Sequence, residues 1–267
     1  MQIYLAASPG ELREAAGFQT GIAHAAYRIG GDSALLSRNL LIPAASCPGR
    51  GAGMGRGGLL LLSGRDAPEI RRPEALAGAL LRECGRRDYG GVVLDFEGPP
   101  SQDRRSFAAV LGRQCAAAGR TLYLPEAYAG ATLPCRVIVN TAVSGGSLEE
   151  HLRECCRAYG GAQNIALDLQ RLRMAFPLPA PSGQGEPLPQ ETLEAWLQER
   201  QPAVFYSRDL CVRYFTCTDH GAARFVLFDD AGTLRQKLWL GRTLGVSAAF
   251  FQWPEIRDIA AGLFHRG

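Results

Sequence analysis

Eight short apolar runs, separated by segments with helical character, constrain the fold of this chain more than any other feature. They are centred near residues 3, 23, 60, 94, 123, 138, 166 and 250. Strands that alternate with helices are joined by right-handed crossovers and form a parallel sheet. Eight such strands favour a closed (β/α)8 TIM barrel, an α/β fold that 267 residues can build as a single domain over residues 1–267.

The segment before the last helix and strand interrupts this alternation. Residues 204–214 and 224–229 have the pattern of a strand pair, which predicts a small β-hairpin inserted into the compact barrel. An open, doubly wound sheet is the alternative fold. No G-x-G-x-x-G follows the first strand, and the glycine-rich run of residues 51–55 opens no helix, which disfavours phosphate binding.

Composition and charge argue against several classes of protein. A formal net charge of +3 is too small to indicate nucleic-acid binding. The eight cysteines form no C-x-x-C pair and the four histidines are scattered, and we therefore expect no metal and no cofactor. The sequence has no signal-peptide pattern and no run long enough to cross a membrane, which predicts a cytoplasmic protein, with the interior of a spore-forming cell as one setting.

The fourth predicted strand, residues 89–97, ends in two carboxylates. The apolar run 92–94 is followed by Asp95 and Glu97, and a Gly-Pro-Pro sequence ends the element. Because residues two apart on a strand point to the same face, the two carboxylates project side by side. Each disfavours the charge of the other, and a carboxyl that keeps its proton can act as a general acid. The alternative is that both are ordinary strand-end residues, one of them capping the next helix.

Other polar and aromatic side chains also follow the predicted strands. In (β/α)8 barrels the reacting groups lie at the C-terminal ends of the strands. Besides the two carboxylates, the candidates are Glu126, Tyr128, Asn140, Asp168 and Trp253. For Glu126 and Asp168 a salt bridge at the barrel mouth is an equal alternative, and for Trp253 the alternative is a core position.

Residues 90–97, with the sequence GGVVLDFE, and residues 225–253 resemble two stretches of glycoside hydrolase family 18, the chitinase-like barrels. The resemblance is greatest to the compact bacterial branch that includes spore-cortex lytic enzymes. The fourth strand of that family reads Asp-Gly-x-Asp-x-Asp-x-Glu, and this chain keeps the glycine, the last Asp and the Glu. In the second stretch the family has an aspartate-rich hairpin, a helix with a lysine, and a last strand that ends in Trp.

The resemblance implies retaining, substrate-assisted hydrolysis of β-linked N-acetylglucosamine in chitin- or peptidoglycan-type glycans, with an oligosaccharide as the partner. In this mechanism the N-acetyl oxygen of the sugar is the nucleophile. Glu97 would protonate the leaving oxygen and then activate water, and Asp95 would orient the acetamido group. Trp253 would stack under the sugar ring, since a flat aromatic side chain suits its apolar face.

The chain departs from the family pattern in two places. Gly90 and Val93 replace the first two Asp of the motif. Residues 138–141, IVNT, stand where the family has Met-x-Tyr-Asp, which removes the Tyr that donates to the acetamido oxygen. These losses favour the alternative of a catalytically weak or inactive barrel that binds glycans or a protein partner. An unrelated barrel enzyme for a phosphorylated metabolite has the least support.

Several side chains are candidates to complete the substrate site despite these losses. Asn140 could donate the hydrogen bond that the missing Tyr would make. Tyr128 or Tyr206 could also reach the site. Glu126 and Asp168 are candidates for contacts with sugar hydroxyl groups.

Overall fold

A computed structural model describes residues 1–37, 58–130, 134–179, 183–219 and 221–264 of the chain. The glycine-rich run of residues 51–55 lies outside the described residues, and its predicted lack of phosphate binding stays a prediction. No helix in the described ranges combines the length and the apolar character that crossing a bilayer requires.

The strands of the described residues are named in chain order. They are β1 (Gln2–Ala7), β2 (Gly21–Ile29), β3 (Leu35–Ser37), β4 (Leu59–Ser63), β5 (Gly91–Asp95), β6 (Thr121–Pro125), β7 (Arg136–Asn140), β8 (Ile165–Asp168), β9 (Arg173–Leu178), β10 (Glu186–Pro187), β11 (Phe205–Ser207), β12 (Val212–Asp219), β13 (Ala222–Phe228) and β14 (Ala248–Gln252).

The helices of the same ranges are named in the same way. They are α1 (Leu12–Ala15), α2 (Pro73–Arg87), α3 (Gln102–Ala117), α4 (Leu148–Ala158), α5 (Gln190–Arg200), α6 (Ala231–Thr243), α7 (Trp253–Ile256) and α8 (Ala260–Leu263).

Eight parallel strands close into a barrel, in the order β1-β14-β8-β7-β6-β5-β4-β2, and β1 pairs with β2 to complete the ring. The eight strands predicted from the sequence are these eight, and the predicted (β/α)8 fold is confirmed. β3 adds an antiparallel strand to the outer side of β2. The closed ring leaves no open edge between the first and last strands, as a TIM barrel requires.

The residues of β5 show how the strands divide inside from outside. Val93 belongs to the cluster inside the barrel, where Tyr4 stacks on Phe250 with ring centroids 5.3 Å apart. Val92 and Leu94 belong to the cluster between the barrel and the helices α2 and α3. Because side chains alternate along a strand, this division fixes which residues near the strand end can face the mouth of the barrel.

A five-stranded antiparallel sheet is inserted between β8 and α6, in the order β10-β9-β13-β12-β11. The predicted hairpin is present in it as β12 and β13, and the insertion also includes α5. Its own core contains Trp196, Phe215 and Phe228. The insertion is therefore larger than a hairpin, because β12 and β13 bury one face against α5 and pair with further strands on both sides.

A buried ion pair joins this insertion to the barrel helix α6. The side chains of Asp229 and Lys237 are both fully buried, and the Lys237 Nζ donates to the Asp229 Oδ2 at 2.7 Å. The same carboxylate accepts hydrogen bonds from the Leu172 backbone N–H at 2.9 Å and from the Thr233 hydroxyl at 2.7 Å. Each oxygen of the carboxylate therefore has a donor, which is the condition under which a buried ion pair is tolerated.

Candidate active site

A cavity of about 230 Å³ lies at the C-terminal ends of the barrel strands. Five neighbouring strands, taken in the order β14, β8, β7, β6 and β5, each contribute a polar side chain from the end of the strand or from the next residue. In that order the side chains are Gln252, Asp168, Asn140, Glu126 and Asp95. Phe250, Leu61 and Val93 form apolar walls below them.

Asp95 is the last residue of β5 and is partly buried in this cavity. Burial raises the pKa of its carboxyl, and the charge of Glu97 raises it further, while Arg65 acts in the opposite direction. From the sequence we expect a proton to be retained because the two carboxylates disfavour each other's charge. In the structure the direction is the same, but loss of water around Asp95 is the larger cause.

Glu97 lies beyond the end of β5 and is exposed. Its Oε1 accepts a hydrogen bond from the Arg65 Nη2 at 2.9 Å, and the two side chains are 57% and 70% exposed, respectively. Arg104 donates from its Nη1 to the Glu97 backbone oxygen at 3.2 Å. Glu97 does not line the 230 Å³ cavity. The two carboxylates are thus neighbours in different environments, one lining the cavity and one ion-paired in solvent.

A second cleft, of about 450 Å³, continues from the cavity, and the two share Leu61 and Asp95. Ser63, Arg65 and Arg28 line its outer part. The cavity and the cleft together form a recess that extends from the barrel axis to the exposed loop after β4. Such a shape accommodates an extended ligand better than the cavity alone would.

Asp168 and Asn140 end the neighbouring strands β8 and β7 and are paired in register. The Asp168 Oδ2 accepts a hydrogen bond from the Gln170 Nε2 at 2.9 Å. Burial raises the pKa of the Asp168 carboxyl to about 7, and the charges of Glu255 and Asp95 act in the same direction. The predicted alternative of a salt bridge does not apply to Asp168, for which no cationic partner is present in the described ranges.

Glu126 and Asn140 line the cavity but are partly occupied by other contacts. The Glu126 Oε1 accepts from the Tyr159 hydroxyl at 3.3 Å and from the Cys155 thiol at 3.8 Å, both associated with α4. The Asn140 Oδ1 accepts from the Ala142 backbone N–H at 2.8 Å. Glu126 therefore has less free acceptor capacity for a ligand than the sequence suggested, whereas the Asn140 Nδ2 has no hydrogen-bond acceptor among the described residues.

Tyr128 must be corrected as a substrate-binding candidate. It is buried outside the barrel, where its ring packs edge-to-face on Phe96 with centroids 5.3 Å apart. The 3-10 turn Glu126–Tyr128 brings Glu126 to the cavity and directs Tyr128 into the layer beneath α3. Tyr206, the other tyrosine considered, lies on β11 of the inserted sheet and does not line the cavity.

Trp253 must also be corrected. Phe250 and Gln252 of β14 line the cavity, whereas Trp253 is buried on the outer face and packs on Phe18 with ring centroids 5.6 Å apart. Trp253 follows the last residue of β14 and begins α7, and from there its side chain turns away from the cavity to the outer core. The structure assigns the core alternative to Trp253, and Phe250 is the aromatic side chain that lines the cavity.

Three residues of the site were missed in the sequence. Phe250 and Gln252 could have been found by extending the alternation of β14 to its end. Arg65 could not, since an arginine in a loop after a strand carries no signal for its partner. In the described ranges, no group of three or more His, Cys, Asp or Glu side chains is arranged to hold a metal ion.

Comparison with known proteins identifies the fold. No family model matches the sequence, and no curated protein matches it either. A chitinase from Chromobacterium violaceum ATCC 12472 superposes with a TM-score of 0.68 at 15% identity, covering 99% of this chain and 99% of that chain. The spore cortex-lytic enzyme SleL of Bacillus cereus gives a TM-score of 0.66 at 14% identity, covering 99% of this chain and 74% of that chain.

A plant protein has the same fold. The class V chitinase of Nicotiana tobaccum gives a TM-score of 0.64 at 12% identity, covering 97% of this chain and 98% of that chain. A variant of that chitinase has been solved in complex with NAG4. At these identities the matches show a shared fold, and they confirm for the fold the resemblance to the chitinase-like barrels of glycoside hydrolase family 18.

Proposed function

We propose that the protein is a glycoside hydrolase that cleaves β-linked N-acetylglucosamine-containing glycans of the chitin or peptidoglycan type. The observation that supports it is the position of Asp95 and Glu97 at the C-terminal end of β5 in a barrel with the chitinase fold. Asp95 lines a polar cavity, and Arg65, the partner of Glu97, lines the cleft that continues from it. A general acid is useful only beside a space that can hold the bond to be cleaved.

In the proposed reaction, the acetamido oxygen of the bound sugar attacks its own C1 while the glycosidic C1–O bond breaks. Glu97 gives its proton to the leaving oxygen. Glu97 then takes a proton from water as the water oxygen attacks C1. This attack breaks the bond between C1 and the acetamido oxygen, which opens the oxazolinium-like ring and restores the acetamido group. Asp95 accepts a hydrogen bond from the acetamido N–H and favours the positive charge that develops on the intermediate.

Arg65 has a specific place in this scheme. Its guanidinium donates to the Glu97 Oε1 and so occupies one oxygen of the proposed acid. Substrate must therefore displace Arg65 before that oxygen can approach the leaving oxygen. Since both side chains are largely in solvent, this displacement costs little free energy.

The test is Glu97→Gln, assayed on a fluorogenic N-acetylglucosamine oligomer. We expect kcat/KM to fall by about 10²- to 10⁴-fold, because the amide has the shape of the carboxyl but no proton to transfer. Glu149→Gln is the matched control, since Glu149 is an exposed residue of α4 that pairs with Arg153. Equal activity in the wild type and Glu97→Gln would overturn the proposal.

A second candidate function is a barrel that binds glycans without cleaving them. The Arg65–Glu97 ion pair and the outward position of Trp253 favour it. It predicts no turnover by the wild type, together with a rise in melting temperature on addition of N-acetylglucosamine oligomers. Turnover that depends on Glu97 would exclude it.

A further inference from the structure

Asp168 has one carboxyl oxygen fixed by the protein and one that accepts no hydrogen bond within the described ranges. The fixed oxygen, Oδ2, accepts from the Gln170 Nε2 at 2.9 Å. Asp168 lines the same cavity as Asp95, and β7 and β6 lie between their strands in the barrel. The side chain is therefore oriented by Gln170 and has a free position toward whatever occupies the cavity.

The groups around Asp168 are acidic. Asp95 and Glu126 line the cavity with it, and Glu255 of α7 adds a third negative charge nearby. Among the residues that the structure describes, no Lys or Arg lines the cavity. The guanidinium of Arg171, three residues beyond β8, pairs instead with the Asp258 carboxylate at 2.8 Å. A partly buried carboxyl among other carboxyls, with no cation beside it, is more stable with its proton than without.

The described residues below the cavity leave this balance unchanged. Tyr4 and Tyr123 pack below the cavity with Phe250, and burial is the main cause that raises the pKa of Tyr4. The Tyr123 hydroxyl accepts from the Arg136 Nη1 at 3.1 Å, which directs that guanidinium to the tyrosine. The raised pKa of Asp168, about 7, agrees with a carboxyl that is protonated over the acidic half of the physiological range.

A neutral carboxyl at this place can supply the hydrogen bond that the missing tyrosine would donate. Residues 138–141 contain no tyrosine. The Asn140 Oδ1 accepts from the Ala142 backbone N–H, and its Nδ2 is the other candidate donor, one that does not titrate. A protonated carboxylic acid in an apolar site is a strong hydrogen-bond donor that adds no charge. Asp168 on β8 is the direct register neighbour of Asn140 on β7.

We infer that Asp168, in its protonated form, donates a hydrogen bond to the acetamido carbonyl oxygen of the bound sugar while Asp95 accepts one from the acetamido N–H. This inference rests on the proposed function, because it assumes an N-acetylated sugar in the cavity. Asp168 positions the nucleophilic oxygen and keeps its proton throughout the reaction. No covalent bond to Asp168 forms or breaks. Recognition of the N-acetyl group then requires a proton on the protein.

The first test measures binding in the Glu97→Gln background, where no turnover interferes. We expect the tetramer of N-acetylglucosamine to bind about tenfold more weakly at about pH 8.5 than at about pH 5.5, because the donor is lost when Asp168 ionises. Adding Asp168→Asn removes this pH dependence, since the amide N–H₂ donates at both pH values while its oxygen still accepts from Gln170. Adding Asp168→Ala weakens binding at both. Calorimetric titration of these three proteins at both pH values measures the differences.

Two results would overturn the inference. One is tetramer binding that does not change with pH when Asp168 is present. The other is an Asp168→Asn protein that binds as weakly as Asp168→Ala, which would mean that the donor is not used. Adding Glu149→Gln instead controls for the loss of one carboxylate, and it must keep the pH dependence of the parent.

The second test does not depend on activity or ligand. Carbon-13 carboxyl resonances of the wild type are followed against pH, and one is expected to titrate near pH 7 and to be absent in Asp168→Asn. If that resonance titrates near pH 4, the inference fails even when Glu97-dependent hydrolysis is observed. If it titrates near pH 7 and the tetramer does not bind, the inference also fails, and the proposed function is judged separately by its own assay.

Discussion

Asp168 and Asp229 are both enclosed carboxyls near strand ends, and they have opposite surroundings. Asp229, where the inserted sheet joins α6, meets the ammonium group of Lys237, the Thr233 hydroxyl and the Leu172 N–H. Asp168, at the mouth of the barrel, receives one side-chain hydrogen bond, from Gln170. The first carboxylate has its donors within the fold, whereas the second leaves a position that a ligand can fill.

The difference separates a structural carboxyl from a functional one. A buried charge whose oxygens all have partners holds two elements together, and removal of one partner leaves an uncompensated charge. A carboxyl without a counter-ion lowers the stability of the fold at neutral pH, and such groups are concentrated at functional sites. Three changes test this distinction, and they are ordered by the size of the expected effect.

Lys237→Met gives the largest expected change. The methionine has nearly the length of the lysine but no charge, and Asp229 would stay buried without its cation. Loss of one partner of a buried pair costs about 3–5 kcal/mol of the free energy of unfolding. Chemical denaturation of the wild type and the variant measures it.

The double change Asp229→Asn with Lys237→Met is the control for that experiment, since the amide keeps an oxygen that can accept from the Leu172 N–H. It removes both charges, and it should lose less stability than Lys237→Met alone, since no charge is left uncompensated. If the double variant is the less stable of the two, the carboxylate is not held by Lys237 in the way described.

Asp168→Asn gives an intermediate effect that depends on pH. In the unfolded chain the carboxyl releases its proton at about pH 4, whereas in the folded chain burial delays the release to about pH 7. Between these values the folded state binds more protons, and the stability of the wild type falls as pH rises, by at most about 1.4 kcal/mol per pH unit.

The asparagine variant lacks this contribution, because the amide does not titrate. Denaturation curves at about pH 4.5 and about pH 7 should therefore show a smaller loss of stability in Asp168→Asn than in the wild type. An equal change of stability with pH in both proteins would mean that Asp168 titrates as an ordinary surface carboxyl. Asp168 would then be neither a structural carboxyl like Asp229 nor a functional one.

Arg65→Ala gives the smallest expected effect. The Arg65–Glu97 pair is exposed, and its removal should leave the melting temperature unchanged within error. The rate of hydrolysis should rise about two- to fivefold at low ionic strength and converge on the wild-type rate in high salt, where the pair is screened. Arg153→Ala, which removes another exposed partner of a glutamate, is the control. A fall in rate would indicate that Arg65 binds substrate.

The sequence predicts the barrel well because its signal is repeated. Eight apolar runs each identify a strand, and an error at one of them would not change the architecture. Position along a strand also predicts that Asp95 lies in the mouth, since it follows the inward-facing Val93 by two residues. The orientation of a side chain after the strand has ended is not predicted in this way.

Trp253, Tyr128 and Glu97 show this limit. Each follows the last residue of a strand or lies in the turn beyond it, where the alternation of the strand no longer applies. Trp253 and Tyr128 turn into the outer core, and Glu97 turns to Arg65. Their contacts depend on residues distant in sequence, such as Phe18 for Trp253, which no local pattern identifies.

The seam between β1 and β14 has a consequence for how the molecule assembles. Gln2 pairs with Ala248, and the ring therefore cannot close until the last strand has been synthesised. Until then β1 has only β2 beside it, and one edge of a hydrophobic strand is open to mispairing. Phe250 and Gln252 come from that last strand, which means that the binding recess is completed in the same step as the seam. Binding of a sugar oligomer would then show that the barrel of the whole chain has closed correctly. Truncation before β14 would abolish both this binding and the cooperative unfolding transition.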